Sequence, residues 1–491
     1  MKFNAKKPST KTHNLAGGQA FRMSKAMELV HAVLATFLED KFYESGDNRI
    51  RRIADLVKEN DPMFVSNLAT VARQEFHLRS VVTVLIAELA KNHRGDSLVC
   101  ETIVRTAERV DDLIELVSYF KREKKALPKQ VKRGIRNALF KFNRYQLAKY
   151  RAEGRDITLV DVFNLVHPKH QHANDEQRQA WSDLMTGKLA SFDTWETEIS
   201  NAKDDAARTK AFEKLVYDNK LGYMALLRNL NNLLKYQVNA QTLISVAQHL
   251  ANPYEVKRSK QLPFRFYTAY QNVSGSRLLS DAISEAMDHA VANTPVFGGK
   301  TLVAVDCSGS MSGDPMEKAA IFGATLVRAN PDADLILYDT QVKELRTTSR
   351  MPVVNLAEDI MRQATGGGTD TSLVFRYIVG EKKHYDRVII ISDNESWVER
   401  YGRLGPQQAY KEYKQMTGQD PFIYAIDIQG YGTTDLAGGK IFHLTGWSSR
   451  LLDLIGQAER GESLVDYIRE YIPMTERKSD PFEDVYWSVD N

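Results

Sequence analysis

The feature that most constrains the fold is a short apolar run, Leu302 to Val305, which ends on Asp306. A run that is apolar on both faces is typical of a strand buried in a parallel sheet with helices on either side. In open α/β sheets, ligands bind beyond the carboxyl ends of such strands. Downstream, Asp314 can cap a helix and Pro315 suits its first position. Strand, polar loop and helix therefore predict an α/β domain.

The loop after this strand has the composition of a cation site. Asp306, Ser308 and Ser310 form a D-x-S-x-S pattern, and two further oxygen-rich loops follow at 366–370 and 392–393. Magnesium prefers an octahedral shell of oxygens and keeps several waters, so hydroxyls with one or two carboxylates suit it. The alternative is an ordinary polar loop, because so short a pattern of common residues also arises by chance. Three such loops in this order favour Mg²⁺ or another divalent cation.

Residues 298–480 resemble the von Willebrand factor A domain and its metal-ion-dependent adhesion site. The resemblance implies that the metal ligands are Asp306, Ser308, Ser310, Thr369 and Asp393. If the hydroxyls bind directly and the carboxylates largely through water, the cation keeps enough charge to attract an acidic group from a partner. That chemistry is recognition, so we expect no enzymatic activity.

Composition excludes several classes of protein. The 491 residues are enough for two to three domains, and 66 Lys and Arg against 63 Asp and Glu leave little net charge. Only two cysteines are present, Cys100 and Cys307, which predicts no disulfide framework and no Cys-based zinc site. No apolar stretch is long enough for a membrane span, and the N-terminus lacks the apolar core of a signal peptide. We therefore expect a cytoplasmic protein without a membrane partner.

The spacing of apolar residues divides the chain into a helical region and a region of alternating strands and helices. From Met23 to Thr294 the pattern is helical, with short breaks and no fixed repeat length, which predicts an α-solenoid of degenerate HEAT-like repeats. We assign residues 1–294 to this domain, with 1–13 as a disordered basic arm, and place the boundary at the Pro/Gly stretch 295–299. Strands and helices then alternate through 298–480 as in a doubly wound sheet, and 481–491 form a tail.

The strongest local charge bias lies within 121–151, which contains twelve Lys or Arg residues and only one acidic residue, Glu123. The pattern predicts one helix from Pro128 to Tyr150, with an apolar stripe on one side. The opposite side carries the cations Lys129, Lys132, Arg133, Arg136, Arg144 and Arg151. Such a row suits a phosphate backbone.

Two further residues qualify this interpretation. Phe140 and Leu147 project from the basic side of the predicted helix, where they would suit stacking or packing beside a bound strand. The alternative to RNA binding is a solvated helix whose charge is balanced by acids such as Asp111, Asp112 or Glu115.

A helical-repeat region followed by this α/β domain resembles the Ro autoantigen, or TROVE, family. The matching motifs, in order, are Asn14-x-x-Gly17-Gly18-x-Ala20-Phe21, Ala69-Thr70-Val71-Ala72-Arg73 with Leu78-Arg79, Met224-Ala225-Leu226-Leu227-Arg228-Asn229-Leu230, and Val256-x-Arg258-Ser259 with Pro263-Phe264. The resemblance implies a monomeric HEAT-repeat ring closed by the A domain. The Gly-Gly form of the first motif and the scarcity of cysteine favour a bacterial or phage member.

In this family, Y RNAs bind basic residues on the outer face, and single-stranded 3′ ends of misfolded RNAs enter the central hole. The resemblance implies Lys149 and His167 as outer contacts beside the basic helix, and Arg228 and Arg258 as contacts in the hole. For both arginines, an ion pair between repeats is an equal alternative. The protein partner implied at the metal site is an exoribonuclease or another protein with an acidic residue.

Two other functions compete with RNA quality control or a ribonucleoprotein scaffold. One is a metal-dependent protein-interaction scaffold without RNA. The other is an enzyme, which the residues disfavour: Asp306-Cys307-Ser308 lacks the second carboxylate of an aspartyl-phosphate site, and Gly313 stands where a cysteine phosphatase loop needs Arg.

Overall fold

The structure, a computed structural model, describes residues 11–34, 46–150, 154–190, 195–273, 275–348, 350–397, 404–431, 433–445, 455 and 464–471. Its contacts divide the chain into two compact units, which we describe separately. The helical unit comprises Lys25–Leu38, Gly46–Ala190 and Leu464–Asn491. The sheet unit comprises Met1–Ser24, Glu39–Ser45 and Ser191–Ser463. The predicted tail 481–491 lies outside the described residues.

The helical unit is built from short helices that stack on their neighbours in sequence. They are α1 Lys25–Leu34, α2 Gly46–Glu59, α3 Pro62–Gln74, α4 Ser80–Asn92, α5 Leu98–Thr106, α6 Val110–Arg122, α7 Lys129–Ala138, α8 Arg144–Lys149, α9 Leu159–Val166, α10 Asp175–Met185 and α22 Leu464–Arg469. Helix α3 packs on α4 and α5, α4 on α6, and α5 on α7. Contacts between helices that are one or two positions apart in the chain are those of stacked helical repeats, so this part of the predicted fold class is confirmed. Closure into a ring stays a prediction.

Helix α3 shows how the sequence specifies this packing. Asp61 accepts a hydrogen bond from the Phe64 backbone N–H (2.9 Å), and Pro62 occupies the first position, so the helix start is fixed locally. From Phe64 to Gln74 every residue is buried, as expected of a helix covered on several sides. Helix α22 is one of its neighbours: the Asn67 amide donates to the Arg469 carbonyl oxygen (3.1 Å).

The sheet unit combines helices with a six-stranded sheet. Its helices are α11 Trp195–Ser200, α12 Asp205–Tyr217, α13 Tyr223–Lys235, α14 Ala240–Leu250, α15 Pro253–Ser259, α16 Pro263–Asn272, α17 Arg277–Ala290, α18 Asp314–Ala329, α19 Val353–Gln363, α20 Ser372–Gly380 and α21 Pro406–Thr417. Its strands are β1 Lys11–His13, β2 Gln19–Arg22, β3 Thr301–Asp306, β4 Asp334–Tyr338, β5 Val342–Leu345, β6 Arg387–Ser392, β7 Phe422–Asp427, β8 Thr433–Thr434 and β9 Ile441–Thr445.

The larger sheet has the strand order β5-β4-β3-β6-β7-β9. All neighbours are parallel except the β4–β5 pair, which is antiparallel. Strand β3 is buried along its whole length, and Val305 lies opposite Leu337 of β4 and Ile391 of β6. The predicted parallel α/β domain is therefore confirmed, and β3 occupies its centre. The edge strand β5 was not predicted.

Helix α18 begins one residue away from the predicted arrangement. Its N-cap is Gly313, with a φ of 78°, and Asp314 is the first residue of the helix instead of its cap. A positive φ is strained for residues with a side chain, so glycine at this point lets the chain turn from the polar loop into the helix.

The predicted disordered arm is partly wrong. Residues 1–10 lie outside the described part of the chain, but Lys11–His13 form β1, which pairs antiparallel with β2. Strand β2 pairs in turn with β8, where Phe21 lies opposite Thr434. Sequence periodicity missed this small sheet because its third strand comes from more than 400 residues further along the chain. In the described helices, none is long and apolar enough to cross a membrane.

Candidate functional site

Asp306 ends β3 at the carboxyl edge of the sheet and is completely buried. Its Oδ1 accepts a hydrogen bond from the Ser308 backbone N–H (2.9 Å), and its Oδ2 accepts one from the Ser392 hydroxyl (2.6 Å). The hydroxyl oxygens of Ser308 and Ser310 lie 3.4 Å apart. The D-x-S-x-S segment thus folds back on itself, so that one carboxylate and two hydroxyls share one small volume.

The loop at 366–370, which we call the glycine-rich loop, is held against the D-x-S-x-S segment by backbone hydrogen bonds. The Gly309 N–H donates to the Gly367 carbonyl oxygen (2.9 Å), and the Gly366 N–H donates to the Cys307 carbonyl oxygen (3.1 Å). These bonds bring Thr369, which is buried, to the same edge of the sheet as Asp306. The structure therefore brings the first two predicted metal loops together.

Asp393 supplies the second predicted carboxylate, immediately after β6. It is completely buried, and its Oδ2 has no hydrogen-bond partner among the described residues. Burial, and then the nearby charge of Asp306, raises the pKa of Asp393 to about 8. Burial also raises the pKa of Asp306, to about 6. Two buried carboxylates that disfavour each other's charge are the electrostatic setting that a bound cation relieves.

The donor set also fits one kind of cation better than others. No three His, Cys, Asp or Glu side chains converge as a metal cluster in the part of the chain that the structure describes. The predicted ligands are two carboxylates and three hydroxyls, all oxygens, as Mg²⁺ prefers, and a thiol or imidazole metal finds no ligands here. The unpartnered Oδ2 of Asp393 is the observation that most favours a cation at this edge.

The predicted basic helix is two helices. Helix α7 ends at Ala138, a 3₁₀ turn covers Leu139–Lys141, and α8 begins at Arg144. The break arises because Asn143 caps α8: its side chain accepts from the Gln146 N–H (3.0 Å), and the Gln146 side chain accepts from the Asn143 N–H (3.0 Å). The cations of 129–149 therefore do not share one continuous row.

The two apolar residues assigned to the basic side lie elsewhere. Leu147 is fully buried, and the Phe140 ring packs edge-on against Trp181, with 5.2 Å between the ring centroids. Leu147 therefore cannot touch a ligand, and the prediction that it packs beside a bound strand is wrong. Phe140 is half-buried, and part of its ring is taken up by Trp181. Once the helix breaks at residue 143, the angular positions computed for a straight helix no longer apply.

The cations predicted on α7, the first of the two helices, remain available to a ligand. Lys129 and Arg133 of α7 are exposed, and Lys132 is half-buried. None of the three has an ion-pair partner among the described residues. Asp111 and Asp112, the acids offered as balancing charges, are instead paired with other arginines: Arg79 with both (2.7 and 3.1 Å) and Arg73 with Asp112 (3.0 Å).

The remaining predicted contacts of the helical unit differ in availability. The Arg136 Nε donates to the Val166 carbonyl oxygen (2.8 Å), which fixes α7 beside the end of α9. His167, which follows α9, is exposed and adopts a left-handed conformation with a φ of 46°. Arg144 is neutralised by Asp183 (2.6 Å). Lys149 is exposed and lies over the Tyr145 ring, 5.7 Å from its centroid. Arg151 lies outside the described residues.

Arg228 and Arg258 lie on α13 and α15 of the sheet unit, and both are exposed. Neither forms the ion pair offered as the alternative, within the described ranges. Arg265 of α16 was missed. Partial burial, and then the positive charge of Arg228, lower the pKa of Arg265, whose helix α16 packs on α13. The signal was present in the sequence, since Arg265 directly follows the quoted Pro263-Phe264 pair.

The fold defines a class: a helical-repeat protein that carries a von Willebrand factor A domain. Comparison with known families agrees, because the model of the TROVE domain matches residues 178–378 and that of the Ro60 vWA domain matches residues 300–457. The chain therefore carries a TROVE domain and a vWA domain of the Ro60 type.

Individual relatives are distant. "RNA-binding protein RO60" of Deinococcus radiodurans is 26% identical over 271 residues, which are 49% of this chain and 50% of that protein. The protein of the same name in Caenorhabditis elegans is 22% identical over 277 residues, 52% of this chain and 42% of that protein. The chain thus spans about half the length, or less, of these curated relatives. The crystal structure of the Deinococcus radiodurans RO (RSR) protein matches with a TM-score of 0.65 at 19% identity, covering 89% of this chain and 100% of that one.

Proposed function

We propose that this protein binds small noncoding RNA, of the Y RNA type, on the exposed cations of α7, and that it acts as a ribonucleoprotein scaffold or in RNA quality control without catalysis. One observation carries the proposal: Lys129, Lys132 and Arg133 lie within five residues and have no acidic partner among the described residues. Two relatives that are named RNA-binding proteins support it.

Charge placement explains why RNA suits this surface. Unpaired cations on one helix turn attract a polyanion, and each phosphate they neutralise releases counterions, which makes binding dependent on salt. Exposed His167 lies at the end of α9, next to the Val166 carbonyl oxygen to which Arg136 donates. A neutral imidazole can donate or accept at a ribose or base edge, so it adds a contact of a different kind beside the cations.

The test is a charge reversal in the whole protein: Lys129→Glu, Lys132→Glu and Arg133→Glu together. We expect at least about a 100-fold loss of affinity for a structured small RNA at moderate salt, because three phosphate contacts are lost and three repulsions are added. Affinity is measured by filter binding or fluorescence anisotropy. Circular dichroism checks that the helices remain folded.

A matched control separates local binding from a change in net charge. Lys343→Glu, Arg376→Glu and Lys411→Glu reverse the same number of exposed cations on the sheet unit, two lysines and one arginine. We expect this variant to lose no more than a few-fold in affinity. Equal losses in the two variants would mean that only net charge matters, and no loss in the first would remove α7 from the binding surface.

A second surface is proposed for single-stranded RNA ends. Arg228 and Arg265 lie on α13 and α16, which pack on each other, and burial followed by the charge of Arg228 lowers the pKa of Arg265. An RNA phosphate that binds both guanidinium groups would relieve the repulsion between them. We expect Arg228→Gln with Arg265→Gln to weaken binding of a single-stranded 3′ extension by about tenfold and to leave a blunt duplex unaffected. That this surface lines a central hole stays a prediction from the family resemblance.

We also propose that Mg²⁺ binds at Asp306, Ser308, Ser310, Thr369 and Asp393. The cation would supply a positive charge to which an acidic side chain of a protein partner can bind, with an exoribonuclease as one class of partner. The unpartnered, buried Oδ2 of Asp393 supports this site. Its test is a calorimetric titration of the protein with Mg²⁺, in which the Ser308→Ala, Ser310→Ala double variant should lose binding and keep its RNA affinity.

The competing function is a metal-dependent protein scaffold that does not bind RNA. The metal site would serve both functions, so it does not distinguish them. Purification at low salt does: RNA that accompanies the wild-type protein and is absent from the α7 triple variant supports RNA binding. Wild-type protein that purifies free of nucleic acid, and that fails to bind added RNA, supports the scaffold.

A further inference from the structure

The turn between β1 and β2 lies directly on the loop that follows the predicted metal carboxylate Asp393. The Asn14 side-chain amide donates to the Ser396 carbonyl oxygen (2.7 Å), and the Ala16 N–H donates to Glu395 Oε2 (2.8 Å). Asn14 also shapes its own turn, since its Oδ1 accepts from the Gly18 N–H (2.7 Å). The buried side chain of Asn14 thus connects the N-terminal hairpin with Ser396, and the Ala16 backbone connects it with Glu395.

Gly18 shows that the hairpin is pressed closely against this loop. A Cβ added at Gly18 would overlap the carbonyl oxygen of Ser396, so no other residue fits without displacing one of the two segments. The glycine is needed here for close approach of two backbones, which explains its place in the N-terminal motif.

The same loop contacts the glycine-rich loop on its other side. The Ser396 hydroxyl donates to the Thr369 carbonyl oxygen (3.2 Å), and the Trp397 ring lies where a Cβ of Gly368 would be. Residues 394–397, which we call the bridging loop, therefore touch the residue that supplies the predicted hydroxyl ligand Thr369. Displacement of the bridging loop would move Asp393 and Thr369 relative to each other.

A second connection holds the hairpin in place from its far edge. Strand β2 pairs with β8, and Asp435 directly follows β8. Asp435 Oδ2 accepts from the Ser396 N–H (3.3 Å) and from the Thr371 hydroxyl (3.3 Å). The hairpin, the bridging loop and the glycine-rich loop are thus joined at Ser396 through three separate hydrogen bonds, from Asn14, to Asp435 and to Thr369.

We propose that Asn14 and Gly18 are positioning residues for the cation site, acting through the bridging loop on Asp393 and Thr369. The inference rests on the proposed Mg²⁺ site. Magnesium requires near-octahedral geometry at short metal–oxygen distances, so a small displacement of two of its ligand segments costs affinity. Groups that orient ligands in this way affect metal binding without touching the metal.

The test compares Mg²⁺ affinity, by isothermal titration calorimetry, in the whole protein and its variants. We expect Asn14→Ala and Gly18→Ala each to weaken Mg²⁺ binding by about 10- to 100-fold. The thermal unfolding temperature without Mg²⁺ is measured alongside. A hairpin that only adds stability would lower that temperature and leave the Mg²⁺ dissociation constant of the folded protein unchanged.

Three further variants keep the test interpretable. Asn14→Ser retains a short acceptor for the Gly18 N–H but cannot reach Ser396, so it preserves the turn if Asn14→Ala does not fold. Lys11→Ala alters the exposed part of the same hairpin, and Gly222→Ala adds a methyl group at a glycine with open space around it. Both controls should bind Mg²⁺ like the wild type.

The outcomes separate this inference from the proposed metal site. Wild-type protein that does not bind Mg²⁺ overturns both. Wild-type binding with unchanged affinity in Gly18→Ala and in Asn14→Ser overturns the positioning role alone. Weaker binding in these variants, with normal binding in the two controls, supports it.

Discussion

At the scale of single residues, the sheet edge that is predicted to bind a metal ion contains two buried carboxylates whose negative charges are unfavourable. Asp306 and Asp393 are both fully buried, and burial raises the pKa of each, to about 6 and about 8 respectively. No described Lys or Arg forms an ion pair with either carboxylate. An edge of this kind destabilises the metal-free fold and gains stability when a cation binds, because only the ionised carboxylates are good ligands.

We predict that Asp393→Asn raises the thermal unfolding temperature in the presence of a chelator and abolishes the stabilisation by Mg²⁺. The asparagine can still accept the hydrogen bond that Asp393 Oδ1 receives from the Glu395 N–H (3.3 Å), but it carries no buried charge. Differential scanning calorimetry with and without Mg²⁺ measures both effects. A variant that is less stable than the wild type in chelator, and equally stabilised by Mg²⁺, would contradict this account.

Another group of residues from the family motifs is structural. Arg73 is almost fully buried and pairs with Asp112 (3.0 Å) and with Glu108 (3.1 Å), while Arg79 also binds Asp112 (3.1 Å). These ion pairs connect α3 and the α3–α4 turn to α6. The motif Ala69–Arg73 with Leu78-Arg79 therefore marks a helix–helix contact in the helical unit.

We predict that Asp112→Ala lowers the free energy of unfolding by at least about 2 kcal/mol, because charged hydrogen bonds to Arg73 and Arg79 are lost where burial is high. RNA affinity of the folded variant should not change. Urea denaturation measures the first effect and anisotropy the second. Asp205→Ala, which removes an exposed ion pair with Arg208 (2.8 Å), is the control and should cost less than about 1 kcal/mol.

At the scale of elements, sequence periodicity predicted the central strands closely. The apolar run Leu302 to Val305, which ends on Asp306, is strand β3, and β3 begins only one residue earlier, at Thr301. Buried strands are easy to predict because their apolar runs are local and end sharply at polar residues. The edge strand β5 and the β1–β2–β8 sheet were missed because their pairing depends on contacts between distant segments.

Helix α7 shows the opposite case: the apolar residues have helical spacing, but this spacing did not reveal where the helix ends. Of the apolar stripe predicted for the single helix, Val131, Ile135, Ala138 and Phe142 are buried, although Phe142 already has extended backbone angles. The fifth member, Tyr145, lies beyond the break and is exposed, so that part of the prediction is wrong. Asn143 and Gln146, which form the capping box of α8, were the available signal for a new helix start. Of the predicted cations, Lys129 and Arg133 are exposed as expected and Lys132 is half-buried. The ion pair of Arg144 with Asp183 depends on folding of α10 and could not be predicted.

We predict that Gly134→Ala destabilises the helical unit even though alanine is the better helix former. A Cβ at this position would lie 2.7 Å from Ile103 Cδ1 and 3.1 Å from the Cys100 Cα, so α7 must move away from α5. Overpacking of this kind costs about 1–3 kcal/mol, against a propensity gain of at most about 1 kcal/mol. Urea denaturation measures the difference, and a stabilised variant would show that the two helices have room to adjust.

At the scale of the whole molecule, the two proposed sites would give the chain two kinds of recognition. The cations of the helical unit would bind a polyanion, and the oxygen ligands of the sheet unit would hold a cation to which an acidic partner binds. These surfaces use opposite charges, so they can serve different partners at the same time. Variants of one surface should therefore leave binding at the other surface unchanged, and their effects on the free energies of binding should add when they are combined.

The central claim is that phosphates of RNA contact the exposed cations of α7. The most direct test is the slope of log K against log salt concentration for RNA binding, measured for the wild type and for Lys129→Gln, Lys132→Gln, Arg133→Gln together. Removal of three phosphate contacts predicts a slope shallower by about 2 for single-stranded contacts, and by somewhat more for duplex. An unchanged slope, even with weaker binding, would show that these side chains do not contact phosphate and would contradict the account.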